Sequence, residues 1–191
     1  MAEGRRKTVD KWKKKQWFTI MSSKIFDTKP LGETPAEKPI QLLGRTLQVN
    51  MGNITGQRTR RDTTIHFKYS DVQGTTINTK VSKFEISKGT LGRMVRRNNS
   101  KVALVKRIPI LNGEANITTI VVTYKKATQA QKTGIRKIID EEINTLKGKD
   151  FEDIVKELLL GKFATDLSKK SSKICVIKKT IVSKATFTEA K

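Results

Sequence analysis

The sequence predicts an α+β protein with a mostly antiparallel β core, a helical hairpin and a basic N-terminal arm. Apolar and polar residues alternate in at least five segments between about residues 45 and 124, the apolar spacing becomes helical after Thr128, and the first 41 residues carry charge without sustained periodicity. Because the connections between the alternating segments are short, we expect antiparallel strands closed into a barrel or a sandwich.

Net charge is the strongest indication of a partner. The 191 residues include 40 Lys and Arg but only 18 Asp and Glu, which leaves a formal charge of +22. Such a surface repels itself unless a polyanion compensates it, so nucleic acid is the expected partner and an anionic membrane surface is the alternative. The sequence has no apolar run of the roughly 20 residues that cross a bilayer, and no signal peptide is indicated. We therefore expect a soluble, cytoplasmic protein without a membrane partner.

Residues 1 to 41 are expected to form the basic arm. Cations and aromatic rings are interleaved here, which would let the segment contact phosphates and base faces together. Alternatively, Trp17, Phe18 and Ile20 pin the arm to the core. The candidate RNA-binding residues of the arm are Lys11, Trp12, Lys13, Lys14, Lys15 and Trp17.

The core is expected to begin at a bend at Gly44, where Arg45 is a candidate RNA-binding residue. Leu47, Val49 and Met51 alternate with polar residues, which predicts a half-buried strand. That strand should end where three residues tolerate positive φ, at Gly52, Asn53 and Gly56. The loop that follows carries the candidate RNA-binding residues Arg58, Arg60 and Arg61.

Two pairs of alternating segments predict hairpins. The first pair lies within residues 64–81 and turns at Gln73-Gly74. The second lies within residues 102–124 and turns at Asn112-Gly113, a common two-residue hairpin turn. Because Pro109 cannot donate a backbone hydrogen bond, the second hairpin should lie at a sheet edge or contain a bulge.

A short helix is predicted between these hairpins. Leu91, Met94 and Val95 are spaced to lie together on one helical face. A second face would carry the candidate RNA-binding residues Arg93, Arg96 and Arg97. Three like charges on one turn repel one another, which bound phosphates would relieve. The alternative is a solvated surface turn.

Residues 125–170 are predicted to form a helical hairpin packed on the core. Thr128 and Gln131 match a capping box, Asp150 should cap a second helix, and Gly161 should stop or bend it. Six of the 18 acidic residues fall on its polar faces and first turns, where we expect solvent or a protein partner rather than catalysis. The candidate RNA-binding residues of this region are Lys125, Lys126, Lys132, Arg136 and Lys137.

The C-terminal segment alternates from Ile174 to Phe187 and is expected to return to the sheet as a strand. Within it Cys175 should be a small buried residue. Residues 183–191 are expected to form a loose tail.

Residues for catalysis or metal binding are not indicated. The sequence has no glycine-rich phosphate loop, no cluster with metal-ligand spacing and no nucleophile with a histidine partner. The only histidine, His66, falls on a polar strand face, where we expect it to be solvated or to contact phosphate. We therefore expect neither an enzyme nor a bound cofactor.

Five segments in a fixed order carry a resemblance to a known family. They are residues 12–17 (WKKKQW), 32–36 (GETPA), 43–45 (LGR), 95–97 (VRR) and 131–138 (QKTGIRKI). Together they resemble the archaeal and eukaryotic S-one-e family of small-subunit ribosomal proteins, also called S-three-a, over nearly the whole chain. The length, without a long C-terminal extension, resembles the archaeal branch.

The resemblance implies a protein that binds small-subunit rRNA on the platform, near the mRNA exit and the 3′ end of that rRNA. Other small-subunit ribosomal proteins would be its neighbours, and mRNA near the exit channel is a further possible partner. It also implies a β-barrel core, so the expected organisation is an arm (1–41), a barrel core with one short helix (42–124), a helical hairpin (125–170) and a return strand with a loose tail (171–191). The alternative function is an RNA-processing enzyme or an extraribosomal mRNA-binding regulator.

Overall fold

The computed structural model describes residues 12–111 and 113–189, which form a mixed α+β fold. These residues form eight strands: β1 (Gln16–Met21), β2 (Pro30–Ala36), β3 (Thr46–Asn50), β4 (Thr63–Gln73), β5 (Thr76–Ile86), β6 (Lys101–Ile110), β7 (Gly113–Thr123) and β8 (Ile177–Glu189). They also form five α-helices: α1 (Met51–Thr55), α2 (Lys88–Met94), α3 (Gln129–Asn144), α4 (Phe151–Leu160) and α5 (Lys162–Ser171). Short 3-10 helices cover Lys24–Phe26, Pro39–Gln41 and Arg58–Arg60.

The strands follow the order β2-β1-β5-β8-β7-β6, and β4 joins this path by pairing with β5 and with β3. Strands β1 and β5 are parallel, whereas β1 with β2, β5 with β8, β6 with β7 and β7 with β8 are antiparallel. Within the described residues the order does not return on itself, because β2 and β6 are its two ends. The α+β class is confirmed, but a closed barrel is not. Alternation predicts strands without specifying whether the outermost ones pair.

The described chain divides into two compact units, one of residues 12–47 and 68–80 and the other of residues 48–67 and 81–189. Strands β4 and β5 contribute residues to both units. Their pairing confirms the hairpin predicted at Gln73-Gly74, where Gly74 has a φ of 60°.

The first unit is built on the antiparallel pair β1 and β2, which pair from Gln16↔Ala36 to Met21↔Pro30 with a register shift after Ile20. Phe18 and Ile20 are each 2% exposed and belong to its apolar core. The prediction of an arm outside the core is therefore wrong for residues 16–36, and the alternative of pinning is correct for these two side chains. Residues 1–11 lie outside the described part of the chain.

The second unit contains the long hairpin and the returning strand. Strands β6 and β7 pair from Lys101↔Val122 to Ile110↔Gly113, which confirms the second predicted hairpin. Pro109 lies in β6, an end strand of the sheet, as predicted. Strand β8 pairs with β7 from Gly113↔Glu189 to Thr123↔Ile177, so the return strand is confirmed and the tail predicted to be loose is paired as far as Glu189. Cys175 precedes this strand and is only half-buried.

The helical region after β7 differs from the predicted hairpin. Helix α3 begins at the predicted capping box and buries Ile135, Ile139 and Ile143, but two helices follow it. Gly161 has a φ of 89°, ends α4 and directly precedes α5, so the bend starts a third helix instead of ending the region. None of the helices in the described residues has the length and apolar composition needed to cross a membrane.

The second unit also contains two short helices before β6, where one was predicted. Met51 was expected in the first core strand but begins α1, because Asn50 caps that helix by accepting a hydrogen bond from Gly52 N at 2.9 Å. A local side-chain hydrogen bond of this kind outweighs the alternation pattern that extended the predicted strand to Met51.

Candidate nucleic-acid interface

Three loops of the second unit meet at one end of β6, β7 and β8. They are residues 95–100 before β6, 124–128 after β7 and 172–176 before β8, and we call them the three-loop cluster. Ser100 joins the first two loops, since its carbonyl accepts from Thr123 N at 3.0 Å and its hydroxyl accepts from Ala127 N at 3.0 Å. Tyr124 N donates to the Val176 carbonyl at 3.0 Å and joins the third. The strand pairing therefore holds these loops side by side.

The three-loop cluster concentrates positive charge. Its exposed cations Arg96, Arg97, Lys125, Lys126 and Lys173 form no ion pair with the described residues. Lys178, one residue into β8, lies at the same end and donates to the Met94 carbonyl at 3.5 Å. Like charges held together without acidic neighbours repel one another, and a polyanion relieves that repulsion.

Apolar packing sets the shape of the first loop. Leu91, Met94 and Val95 pack against a buried cluster that includes Ile120 and Ile181, as the helical spacing predicted. However, α2 ends at Met94, and Val95 is extended with φ −93° and ψ 113°. The chain therefore leaves the helix before the last two predicted arginines.

The predicted ridge of Arg93, Arg96 and Arg97 on one helical turn is consequently wrong. Arg93 lies on α2, donates to Thr90 Oγ1 at 3.0 Å and lies 3.8 Å from an Asp62 carboxylate oxygen. Arg96 and Arg97 lie in the exposed loop beyond the helix. The structure thus separates one arginine that has local partners from two that lack an acidic partner among the described residues.

A basic turn, residues 58–61, directly precedes Asp62 in the chain. Arg58 and Arg61 are exposed, while Arg60 is half-buried and donates to the Leu159 carbonyl near the end of α4 at 3.0 Å. The Asp62 carbonyl accepts from Ser87 N at 2.9 Å and connects this turn to the start of α2. Arg60 therefore has a structural contact, and Arg58 and Arg61 remain available to a ligand.

The candidates on α3 follow the second loop directly. The Thr128–Gln131 capping box starts the helix there, and Gly134 approaches the third loop so closely that an added Cβ would lie 2.9 Å from Ile174 Cδ1. Lys132 and Arg136 are half-buried, and Lys137 is exposed. The beginning of α3 thus extends the three-loop cluster.

The remaining candidates belong to the first unit. Trp12 and Trp17 are 63% and 60% exposed, and Lys15 Nζ lies 3.9 Å from the centre of a Trp12 ring. Lys13 and Lys14 are also exposed, whereas Lys11 lies outside the described residues. This arrangement keeps the predicted interleaving of cations and rings on a surface next to β1.

Arg45 is exposed at the bend of the first unit. Gly44 has a φ of 81°, and the Arg45 carbonyl accepts from Tyr69 N at 2.9 Å. Burial raises the pKa of Tyr69, and the Arg45 charge partly offsets that rise. The bend therefore has the predicted conformation and leaves the guanidinium group at the surface.

Two acidic residues of α3 form hydrogen bonds with lysines of other elements. Lys106 donates to Asp140 and, at 2.8 Å, to Asn144 Oδ1, and its hydrogen bond lowers the pKa of Asp140. Glu142 is buried and accepts from Lys170, and this hydrogen bond raises the pKa of Lys170. These pairs join α3 to β6 and to α5.

Metal binding finds no support in the described residues, which contain no group of three or more His, Cys, Asp or Glu placed to hold an ion. The side chain of His66 is 13% exposed, with Nε2 3.4 Å from Glu85 Oε1. The expectation of a solvated histidine is therefore wrong. The Nε2 atom is buried and lies near this carboxylate oxygen, but it makes no hydrogen bond within the described residues.

Sequence reasoning missed Tyr124 and Lys173 of the three-loop cluster and Lys178 beside it. Tyr124 is 62% exposed and directly precedes Lys125 and Lys126, so the aromatic-cation signal used for residues 12–17 was also present here. Lys178 comes from a strand about 50 residues later in the chain, and no local pattern could have placed it at this end.

Comparison with known proteins agrees with the resemblance. Residues 3–191 match the model of the Ribosomal S3Ae family. The small ribosomal subunit protein eS1 of Saccharolobus islandicus strain L.S.2.15 is 32% identical over 177 residues, which are 92% of this chain and 85% of that protein. The proteins of the same name from Saccharolobus solfataricus and Staphylothermus marinus are 29% and 28% identical, again over 92% of this chain and over 85% and 84% of their own. The chain therefore belongs to the Ribosomal S3Ae family.

Proposed function

We propose that this protein is a structural component of the small ribosomal subunit and that it binds rRNA through the three-loop cluster. The observation that carries the proposal is the set of exposed cations Arg96, Arg97, Lys125, Lys126 and Lys173, which form no ion pair with any described residue and lie on loops joined by hydrogen bonds at one end of the sheet. Fixed cations of this kind bind phosphate groups without a large ordering cost.

The finer location is inferred from the family resemblance. The relatives are named as small-subunit proteins, and the family resemblance implies a position on the platform, near the mRNA exit and the 3′ end of the rRNA. At that position mRNA near the exit would be an additional ligand, and the protein would lie in the cytoplasm within the subunit. It is a structural role that needs no catalytic residues.

Secondary RNA contacts are proposed for the other predicted cations and rings, which are exposed or half-buried. In the second unit these are Arg58, Arg61, Arg93, Lys132, Arg136 and Lys137, and in the first unit Trp12, Lys13, Lys14, Lys15, Trp17 and Arg45. Arg60 would act by fixing the basic turn, since its guanidinium group is bonded to the Leu159 carbonyl. The acidic faces of α3 and α4 would contact neighbouring ribosomal proteins.

Sedimentation tests this function. Full-length protein should travel with small subunits through a sucrose gradient, and a Lys125→Gln/Lys126→Gln variant should be released at lower salt than the wild type. Pure protein mixed with RNA and magnesium should leave the RNA intact. Protein that stays at the top of the gradient while binding or cutting free RNA would contradict the proposal and favour an extraribosomal regulator or a processing enzyme.

A further inference from the structure

Tyr124 presents an exposed aromatic ring on a fixed stretch of backbone. The residue is 62% exposed, and its backbone N–H donates to the Val176 carbonyl at 3.0 Å. Its own carbonyl lies 3.0 Å from the side-chain amide of Asn99, which turns its nitrogen toward Tyr124 and its oxygen toward Lys178 Nζ at 3.2 Å. The backbone on both sides of the ring is therefore anchored to the other two loops.

The surroundings of Tyr124 are cationic and apolar. Lys125 and Lys126 follow it in the chain and are exposed, and Val176 is 72% exposed opposite its backbone. No acidic side chain of the described residues pairs with either lysine. A ligand for this surface must offer a flat apolar face together with negative charge.

We propose that Tyr124 is a stacking platform for an unpaired nucleotide of single-stranded RNA. The base lies on the tyrosine ring, and Lys125 and Lys126 hold the phosphates on either side of it. This inference rests on the proposed RNA-binding function and adds the kind of RNA segment that the three-loop cluster binds. Single-stranded segments expose base faces, whereas the stacked bases of a duplex do not. A duplex could use the lysines but not the ring.

The test compares two RNAs and three variants of the full-length protein. The probes are an unstructured oligouridylate of about 12 nucleotides, carrying one 2-aminopurine whose fluorescence falls on stacking, and an RNA duplex of similar length. The variants are Tyr124→Leu, Tyr124→Phe and Lys125→Gln/Lys126→Gln. Because Tyr124 is exposed and its hydrogen bonds are made by the backbone, all three should unfold at nearly the wild-type temperature.

We expect Tyr124→Leu to weaken single-strand binding at least about fivefold and to abolish most of the fluorescence change, because base–aromatic stacking is lost. Duplex affinity and the salt dependence should stay at wild-type values, and Tyr124→Phe should behave as wild type. The double lysine variant should bind both RNAs more weakly.

Two kinds of result overturn the inference in distinguishable ways. If Tyr124→Leu binds the single strand as tightly as wild type while the lysine variant loses affinity, stacking is wrong and the proposed RNA interface stands. Stacking is also wrong if Tyr124→Leu weakens the binding of both RNAs equally. If the lysine variant binds both RNAs like wild type, the interface itself is wrong and the stacking platform with it.

Discussion

At the scale of single residues, one asparagine organises the basic turn between α1 and β4. Asn50 accepts from Gly52 N through its side-chain oxygen, and its amide nitrogen donates to the Arg61 carbonyl. One side chain therefore caps α1 and fixes the backbone that presents Arg58 and Arg61. The turn should depend on this residue more than on either arginine.

We expect Asn50→Ala to lower the free energy of unfolding by about 1 kcal/mol, within the range of about 0.5 to 2 kcal/mol measured for lost N-caps. Asn53→Ala is the matched control, because Asn53 lies on the exposed side of the same helix. Urea unfolding of the two variants measures the difference. Equal stabilities would show that the cap contributes nothing.

Asp140 gives a residue-scale prediction with a defined pH dependence. The hydrogen bond from Lys106 lowers the pKa of Asp140 in the folded protein. A lowered folded pKa stabilises the protein at pH values above the unfolded pKa, and the contribution is lost as the pH falls through the folded pKa. The link between β6 and α3 should therefore weaken only in acid.

We expect Asp140→Asn to melt below the wild type at pH 7 and the two proteins to converge as the pH falls from about 4 toward 2. Thermal unfolding across this range measures the effect, with Glu37→Gln as a control at an exposed carboxylate. A gap in melting temperature that stays constant down to the lowest pH would contradict the assigned role of the Lys106–Asp140 pair.

For some residues, the structural requirement for that residue type could not be found in the sequence. Gly52 was expected to provide a positive φ, but it lies inside α1, and a Cβ there would sit 2.7 Å from Arg61 Cγ. Glycine is required at position 52 because Arg61, nine positions later, approaches its backbone closely. Gly56 and Gly44 do have positive φ, because bends of that kind are a local property that composition indicates.

At the scale of elements, α2 and the loop after it separate arginines that look equivalent in the sequence. Arg93 has Thr90 as a hydrogen-bond partner and Asp62 nearby, whereas Arg96 and Arg97 lie in the three-loop cluster. The loop should therefore contribute more to RNA binding than the helix.

We expect Arg96→Gln/Arg97→Gln to reduce the slope of log affinity against log salt by roughly 1.5, since each phosphate contact contributes about 0.7 to 0.9. Arg93→Gln should change the slope by less than half as much, and both variants should keep the wild-type melting temperature. Filter binding to an rRNA fragment at several salt concentrations measures the slopes. A larger change in slope for Arg93→Gln than for the double variant would show that the interface lies on α2 instead.

The periodicity of apolar residues predicted most elements, but it missed strand β2 and helix α5. The hairpin of β6 and β7 and the capped helix α3 follow from local patterns, and both are present. Strand β2 contains two prolines and a glycine, so nothing local indicates a strand, and only its pairing with β1 produces one. The helix α5 was missed because Gly161 indicates a bend but does not indicate that another helix begins there.

At the scale of the whole molecule, composition predicted the class of partner, and the order of the strands in the sheet determines which segments form the candidate site. The charge of +22 indicated a polyanion without naming residues. Segments 95–100, 124–128 and 172–176 meet only because β6, β7 and β8 are neighbours, and that order depends on pairing between residues about 60 positions apart. Physical reasoning alone predicted a polyanionic partner. The family resemblance indicated that this partner is the ribosome.

The most direct test of RNA binding through the three-loop cluster is a salt titration of rRNA binding with two matched lysine variants. Lys125→Gln/Lys126→Gln removes two exposed charges from the cluster, and Lys156→Gln/Lys162→Gln removes two exposed charges from α4 and α5. Wild-type affinity should fall steeply with salt. The first variant should lower the log-log slope by roughly 1.5, and the second should leave it nearly unchanged. Equal slopes for the two variants, or a flat wild-type plot, would contradict binding through this cluster.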